Sequence, residues 1–318
     1  MSTTDTTSDS GSHHSQSDTG LDVVTGAFSY SGRAIARRLL EGGRAVRTLT
    51  GHAGRRDTQA IDVRPLDFDD LPGLVAHLRG ATTLYNTYWV RFAAGGTDHD
   101  RAVENSRTLF HAARRAGVQR IVHISITHPS IDSPYPYFRG KALVERSLAE
   151  TRVPYAVLRP AILFGENGVL VNNIAWLLRH LPAFAVGGRG DYRVRGIHVD
   201  DLARLCVDAG QHREDSVIDA VGPERPTFLE LVEWIRRAVH SRARIVHVPG
   251  AIVPLLSRGL GLVLRDVLLT SDEYRAMAGG LADTEGPATG EIALSSWLAE
   301  NAGTLGTRYS NELDLHFR

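Results

Sequence analysis

Along the first half of the chain, short apolar runs alternate with stretches in which apolar residues recur every three or four positions. LDVVT (21 to 25) reads as a strand. After GAFSYSG, the stretch RAIARRLLEGG places Ile35, Leu39 and Leu40 at helical spacing before Gly42 and Gly43 stop it. AVRTLT (45 to 50), IDVRPLDF (61 to 68), TTLYNTY (82 to 88), QRIVHISIT (119 to 127) and PYAVLRPAILFG (154 to 165) predict further strands. Helices are predicted through 102 to 117 and 135 to 150. Strands alternating with helices of this length need crossover connections, and right-handed crossovers build a parallel, doubly wound α/β sheet.

After Gly165 the rhythm breaks into loops such as VGGRGDYRVRG (186 to 196). A helix begins within HVDDLARLCVDA (198 to 209), and another follows in DAVGPERPTFLELVEWIRRAV (219 to 239), where Thr227 and Glu230 fit a capping box. Asp200 and Asp201 look like a carboxylate pair, but Asp200 is better read as a helix N-cap. The organisation expected is a disordered tail over 1–20 and a sheet core over 21–165. Residues 166–318 mainly form a smaller C-terminal α/β lobe, with elements returning to the core.

Composition narrows the classes. Acidic and basic residues balance at 36 each, so no global field points to nucleic acid. Cys206 is the only cysteine, which rules out an internal disulfide framework and suits a reducing, cytoplasmic setting. The first twenty residues are small and polar and cannot form a signal-peptide core; His13 and His14 read there as solvated spacer. AIVPLLSRGLGLVL (251 to 264) is the longest apolar stretch. It is interrupted by Arg258, is shorter than the roughly 20 residues of a bilayer span, and reads as core or lid packing or as a peripheral greasy contact. His123 and His128 lack metal-ligand spacing with other candidates, and neither HExxH nor CxxC occurs, so no metal site is expected.

Lys141, in PYFRGKALVE, is the only lysine among 318 residues; arginine supplies the other 35 basic side chains. It follows Tyr137 by four positions, one helix turn on the same face. With nine tyrosines in the chain, chance puts a lone lysine at that offset roughly once in 35. A guanidinium stays protonated as a fixed planar fork, whereas an ammonium is a compact charge that can hold sugar hydroxyls and lower a neighbouring phenol's pKa.

The glycine turn adds context: Gly26 and Gly32 bracket TGAFSYSG directly after the first strand and at the first helix, where backbone amides attract a pyrophosphate. The middle glycine of a GxxGxxG pattern is Ser29.

Together TGAFSYSG, LDFDD (66 to 70), Asn105, RIVHIS (120 to 125), Tyr137 with Lys141, LRPAILFG (158 to 165) and HVDDLA (198 to 203) resemble the short-chain dehydrogenase/reductase superfamily. The resemblance is to its extended or atypical branch of NAD-dependent epimerase/dehydratases and NmrA-like proteins, and runs from about 21 to 240. PYFRGKALVE is also similar to the nucleotide-binding accessory subunit of respiratory complex I. The resemblance implies a Rossmann NAD(P)-binding core and a hydride transfer to or from a carbonyl, alcohol or sugar carbon, or epimerisation or dehydration. Tyr137 would be the acid/base, and Lys141 would hold the nicotinamide ribose. The cofactor would lie against Gly26, Phe28, Ser29, Tyr30, Gly32, Asn86 and Thr87. Asp67 and Phe68 would flank the adenine, Pro160 would start the loop lining the nicotinamide, and Asn105 would knit helix to sheet. Relatives often pair through a four-helix interface, here the helices at 102–117 and 135–150. The alternative is a non-catalytic NAD(P)H-binding accessory or sensor protein that docks on a partner.

Two positions depart from the pattern. The serine or threonine that usually holds substrate is replaced by Ile126, between Ser125 and Thr127, and strand alternation points both neighbours away from the side chain at 126. Ser125 either substitutes or caps backbone at the strand end. At the end of the second strand Thr50 stands where an NAD site commonly carries an acid, with Arg55 and Arg56 close behind, which favours NADP over NAD. Tyr88, Trp89 and Arg91, after the fourth strand, either line the cleft or simply pack.

Overall fold

The computed structural model describes residues 20–51, 61–92 and 96–311. Nearly all of the expected tail, with His13 and His14, and the two arginines Arg55 and Arg56 lie outside the described residues.

β1 (Leu21–Thr25) feeds α1 (Tyr30–Glu41), then β2 (Ala45–Thr50), β3 (Ile61–Pro65), α2 (Leu71–Leu78) and β4 (Ala81–Asn86). There follow α3 (His99–Ala116), β5 (Arg120–Ile124), α4 (Pro136–Glu150) and β6 (Tyr155–Pro160). The third, fourth and fifth strands stop two to three residues earlier than the apolar runs suggest, because Leu66, Thr87 and Ser125 already belong to the loops at the sheet's C-terminal edge. The predicted run 154–165 divides into β6 and a separate short β7 (Ile162–Phe164).

Beyond it lie α5 (Val169–His180), β8 (Ala183–Gly187), β9 (Gly196–His198), α6 (Val199–Gln211), β10 (Ser216–Ala220), α7 (Phe228–Ala238) and β11 (Arg244–Val248). A single 3-10 turn at Gly250–Ile252 leads into α8 (Val253–Leu264), α9 (Ser271–Ala278) and α10 (Leu294–Glu300).

The fold is Rossmann-like. Seven strands pair in parallel in the order β10-β6-β5-β4-β1-β2-β3, so strand order reverses between β1 and β4, where such sheets open a crevice for ligands. One face of the sheet packs Leu74, Leu78, Leu109, Phe110 and Leu148 of α2, α3 and α4 into a closed core. The other packs Ile35 and Leu39 of α1 against Leu202 and Cys206 of α6. Thus α6 and β10 return to the core from the C-terminal half. The small parallel pairs β8–β11 and β7–β9, with α5, α7 and α10, form a third apolar cluster that includes Phe164, Leu231 and Trp297.

Caps follow the side-chain chemistry with one correction. Thr227 and Glu230 form the expected capping box, each satisfying the other's backbone amide. Asp200, by contrast, is not an N-cap. The cap is His198, whose Nδ1 accepts from the Asp200 N–H at 3.2 Å, because β9 carries the chain straight into the helix two residues early. Asp200 instead meets Arg37 of α1. Buried Asp201 accepts from the backbone N–H groups of Glu291 and Ile292, both at 2.8 Å, tying α6 to the C-terminal segment.

Candidate functional site

The turn after β1 is sterically closed to anything but glycine at its two ends. Gly26 has φ +62°, and a Cβ on Gly32 would lie 2.1 Å from the Gly26 carbonyl oxygen. Ser29 spends its hydroxyl on that same carbonyl at 2.7 Å rather than on a helix amide, and no acid occupies the first turn of α1. The start of α1 therefore keeps its orphan N–H groups and its positive field, the arrangement that receives a diphosphate. Phe28 contributes its carbonyl to the turn, which accepts from Arg33.

Beside this turn the C-terminal tips of β1, β4 and β5 are locked together. Thr25 donates to Asn86 Oδ1 at 3.2 Å, Asn86 Nδ2 lies 3.1 Å from His123 Nδ1, and Thr87 donates its hydroxyl to the Thr25 carbonyl at 2.6 Å. Asn86 and Thr87 thus shape the edge on which a cofactor would rest, with their side chains engaged internally. Beyond them a hollow of about 420 Å³ opens at the ends of β2 and β3, lined by Thr50, Asp67, Phe68, Arg101 and Asn105. Phe68 packs against Tyr88 with the rings tilted and their centroids 4.7 Å apart, and Asn105 Nδ2 donates to the Tyr88 hydroxyl at 2.7 Å, which ties α3 to the chain leaving β4. Phe68 gives this hollow an aromatic wall that could receive an adenine. Sequence reading missed Arg101, a cation lining this hollow 3.0 Å from Asp69; nothing in its local sequence distinguishes it from other helix arginines.

Tyr137 and Lys141 rise from the first turns of α4. Lys141 is buried at 3 % exposure, its Nζ donates to the Ile124 carbonyl at 2.8 Å, and it lies 4.7 Å from the centre of the Trp89 ring. Burial brings its pKa down from 10.5 to about 7, against the opposing pull of Glu145. The same ammonium, after burial itself, holds the His123 imidazole well below its ordinary value. Trp89 reaches Lys141 because Gly140 has no side chain: a Cβ there would sit 2.8 Å from the indole. Tyr137 packs edge-on to Trp89 and to His99, with centroids 5.9 and 5.7 Å away. His99 at the start of α3 is another residue the sequence did not mark.

Tyr137 forms part of the wall of a cavity of about 870 Å³ between the sheet edge and the C-terminal elements. Its lining is overwhelmingly aliphatic and aromatic, with Leu163, Leu177, Phe184, Leu260 and Met277 among it. Its polar rim includes Arg91, which pairs with Glu273 at 2.5 Å. So Trp89 covers Lys141, Arg91 lines the cavity and Tyr88 backs the smaller hollow through Phe68 and Asn105. Ile126 faces the cavity, whereas Ser125 does not line it: Ser125 is buried with its hydroxyl unpartnered, and Thr127 is buried donating to the Leu281 carbonyl at 2.8 Å. Pro160 ends β6 in the core, and the next residue, Ala161, reaches the cavity. Tyr30 also lines it. Its phenol is buried without a partner against Gly165 and Gly168, and burial, then Asp200, push its pKa up. Among the described residues no cluster of three or more His, Cys, Asp or Glu could hold a metal.

The residues present fit a dinucleotide: an open helix terminus beside a glycine turn, an aromatic-walled hollow at one end and a buried lone ammonium at the other. An NADPH-dependent quinone oxidoreductase of Escherichia coli, solved with NADPH, superposes with a TM-score of 0.71 over 89 % of this chain and 98 % of its own, at 20 % identity. The NADH-ubiquinone oxidoreductase 40 kDa subunit of Neurospora crassa is 22 % identical over 266 residues, covering 79 % of this chain and 68 % of the subunit. An uncharacterised protein of Mycobacterium tuberculosis is 30 % identical over 201 residues, or 63 % of this chain; the match spans about a fifth (21 %) of that relative's length. Residues 23–220, from the first strand through the last strand of the large sheet, match the NAD dependent epimerase/dehydratase family, and the chain belongs to that family, whose members typically bind NAD(P).

Proposed function

We propose that the protein is an NAD(P)-dependent reductase of an apolar carbonyl or quinone-like compound, with Tyr137 supplying the proton. The observation that carries this reading is that Tyr137, one helix turn before the buried Lys141 and edge-on to the Trp89 ring that covers it, lines an apolar cavity of about 870 Å³. A sugar nucleotide presents many hydroxyls and charges, and burying them without partners is unfavourable; an aromatic or aliphatic ketone brings a single polar oxygen, which the Tyr137 hydroxyl can satisfy. In this reading residues 21–165 hold the cofactor, with α6 and β10 returning to the sheet, and residues 166–318 shape the substrate cavity. NADP is the preferred cofactor, through Arg55 and Arg56, with Arg101 beside the adenosine.

The nicotinamide, when bound, supplies a hydride to the substrate carbonyl carbon. The Tyr137 phenol donates its proton to the carbonyl oxygen, leaving a phenolate that regains a proton from solvent. Lys141 favours that phenolate while it is charged and orients the ribose. The apolar walls exclude water from the transfer. Ile126 offers the substrate oxygen no second hydrogen bond, so orientation falls to packing in the cavity and to Tyr137 itself.

The test is NADPH oxidation with quinones and hydrophobic ketones, alongside sugar nucleotides. Turnover is expected with the first two, and Tyr137→Phe should lower kcat by about a hundredfold, the scale of a lost general acid, while NADPH affinity changes less than twofold. Turnover confined to sugar nucleotides would overturn the apolar substrate.

A second reading, a cofactor-holding accessory protein, is favoured by Ile126 and by the indole over Lys141. It predicts NADPH binding with no turnover across the whole panel, and a Trp89→Phe variant that binds NADPH several-fold more tightly.

A further inference from the structure

α8 is apolar on both of its faces. Val253, Leu256, Ser257 and Leu260, one helical stripe, line the large cavity. The opposite stripe points outward, with Leu255 at 69 %, Leu262 at 82 % and Val263 at 77 % exposure. Leu256 belongs to both sets: it lines the cavity and is still 47 % exposed, so it marks the cavity's mouth. Ile252 in the turn before the helix and Val246 on β11 are also exposed. A helix that only roofed the cavity would carry polar residues outside.

Charge says what this surface meets. From Trp234 to Arg265 there is no aspartate or glutamate, while Arg236, Arg237, Arg242, Arg244, Arg258 and Arg265 fall within it, in a chain whose charges balance overall. Arg258 and Arg265 are exposed on and just after α8, and neither pairs with a carboxylate among the described residues. Leucines flanked by arginines that can extend toward a polar surface are the chemistry of a helix lying in the interface of an anionic bilayer. Among the described residues no helix is long and apolar enough to cross a membrane.

We infer that α8 docks the protein on an anionic lipid surface, with Leu255, Leu262 and Val263 entering the acyl boundary and Arg258 and Arg265 at the headgroups. The mouth at Leu256 then faces the bilayer, and an apolar ligand reaches the cavity without crossing water. The inference rests on the surface of α8 and holds whether or not the cavity supports turnover.

The experiment is co-sedimentation of the full chain with vesicles of phosphatidylcholine alone or mixed with phosphatidylglycerol. The variants are Leu255→Ser/Leu262→Ser/Val263→Ser, the single Leu262→Glu, and Arg258→Gln/Arg265→Gln. Wild type is expected to bind the anionic vesicles at least tenfold more tightly than the neutral ones and to release them at high salt. The triple variant and Leu262→Glu should each lose at least tenfold, and the arginine pair should lose the preference for anionic lipid. Wild type remaining in the supernatant, or both leucine variants sedimenting like it, would overturn the inference. A wild-type dimer in sedimentation velocity that Leu262→Glu dissolves would overturn it in favour of a second copy of the chain.

Discussion

Lys141→Met is expected to make the protein more stable and unable to hold its cofactor. The ammonium is buried, and its folded-state pKa of about 7 lies below the 10.5 it has in an unfolded chain. At 1.36 kcal/mol for each tenfold step in proton affinity, keeping it charged in the fold costs on the order of 4–5 kcal/mol. Part of this is offset in the variant by losing the bond to the Ile124 carbonyl, about 1–3 kcal/mol, and the contact with Trp89, so a net gain of about 1–3 kcal/mol remains. For a chain of this size that raises Tm by about 2–5 °C.

The sign with pH is fixed by linkage. Below pH 7 both states of the wild type carry the proton and the penalty is complete. Between about 7 and 10.5 the folded state has released it and the unfolded state has not, so wild-type stability climbs with pH and the variant's advantage shrinks. Thermal melts of the two proteins from pH 6 to 10 check this, and an advantage that grows with pH would contradict it. Nucleotide titration on the same samples should show affinity reduced at least a hundredfold. A group retained against stability is the mark of a functional residue.

Gly32→Ala should lose nucleotide binding by more than a hundredfold and destabilise the fold by about 1–3 kcal/mol, the range for forcing a methyl group into a packed site. The added Cβ would meet the Gly26 carbonyl oxygen at 2.1 Å and the Ser29 hydroxyl at 3.0 Å. Neither can retreat without moving the turn, because Gly26 is fixed by its N–H bond to the Leu49 carbonyl and Ser29 by its bond to the Gly26 carbonyl. The first turn of α1 would tilt away from the crevice and carry its amides with it. Tryptophan quenching on NADPH addition, set beside a urea melt, separates the two effects. Unchanged affinity would mean that the α1 terminus does not receive the diphosphate.

Much of this architecture is legible along the chain because its determinants are local. The alternation of apolar runs marks strands and helices, glycine spacing at Gly26 and Gly32 marks a turn without room for a Cβ, and the interval from Tyr137 to Lys141 is one helix turn. Just past the end of β5, Ile126 lines the cavity, while Ser125 and Thr127 are buried outside its lining. Boundaries were less legible. His198 caps α6 in place of Asp200 because β9 pairs with β7, and that pairing brings together residues more than thirty positions apart.

What sequence alone determined, then, is the order of elements, the glycine turn and the lone lysine one turn beyond a tyrosine, all consequences of backbone periodicity over a few residues. Tertiary structure decided the rest. It laid Trp89 over Lys141 through the space left by Gly140, brought His99 and Arg101 to the site, and enclosed the apolar cavity between sheet edge and α8. It also left Leu255, Leu262 and Val263 outside. Those outcomes depend on which distant side chains share a volume once the sheet has twisted and the C-terminal elements have settled on it, and no local pattern encodes that.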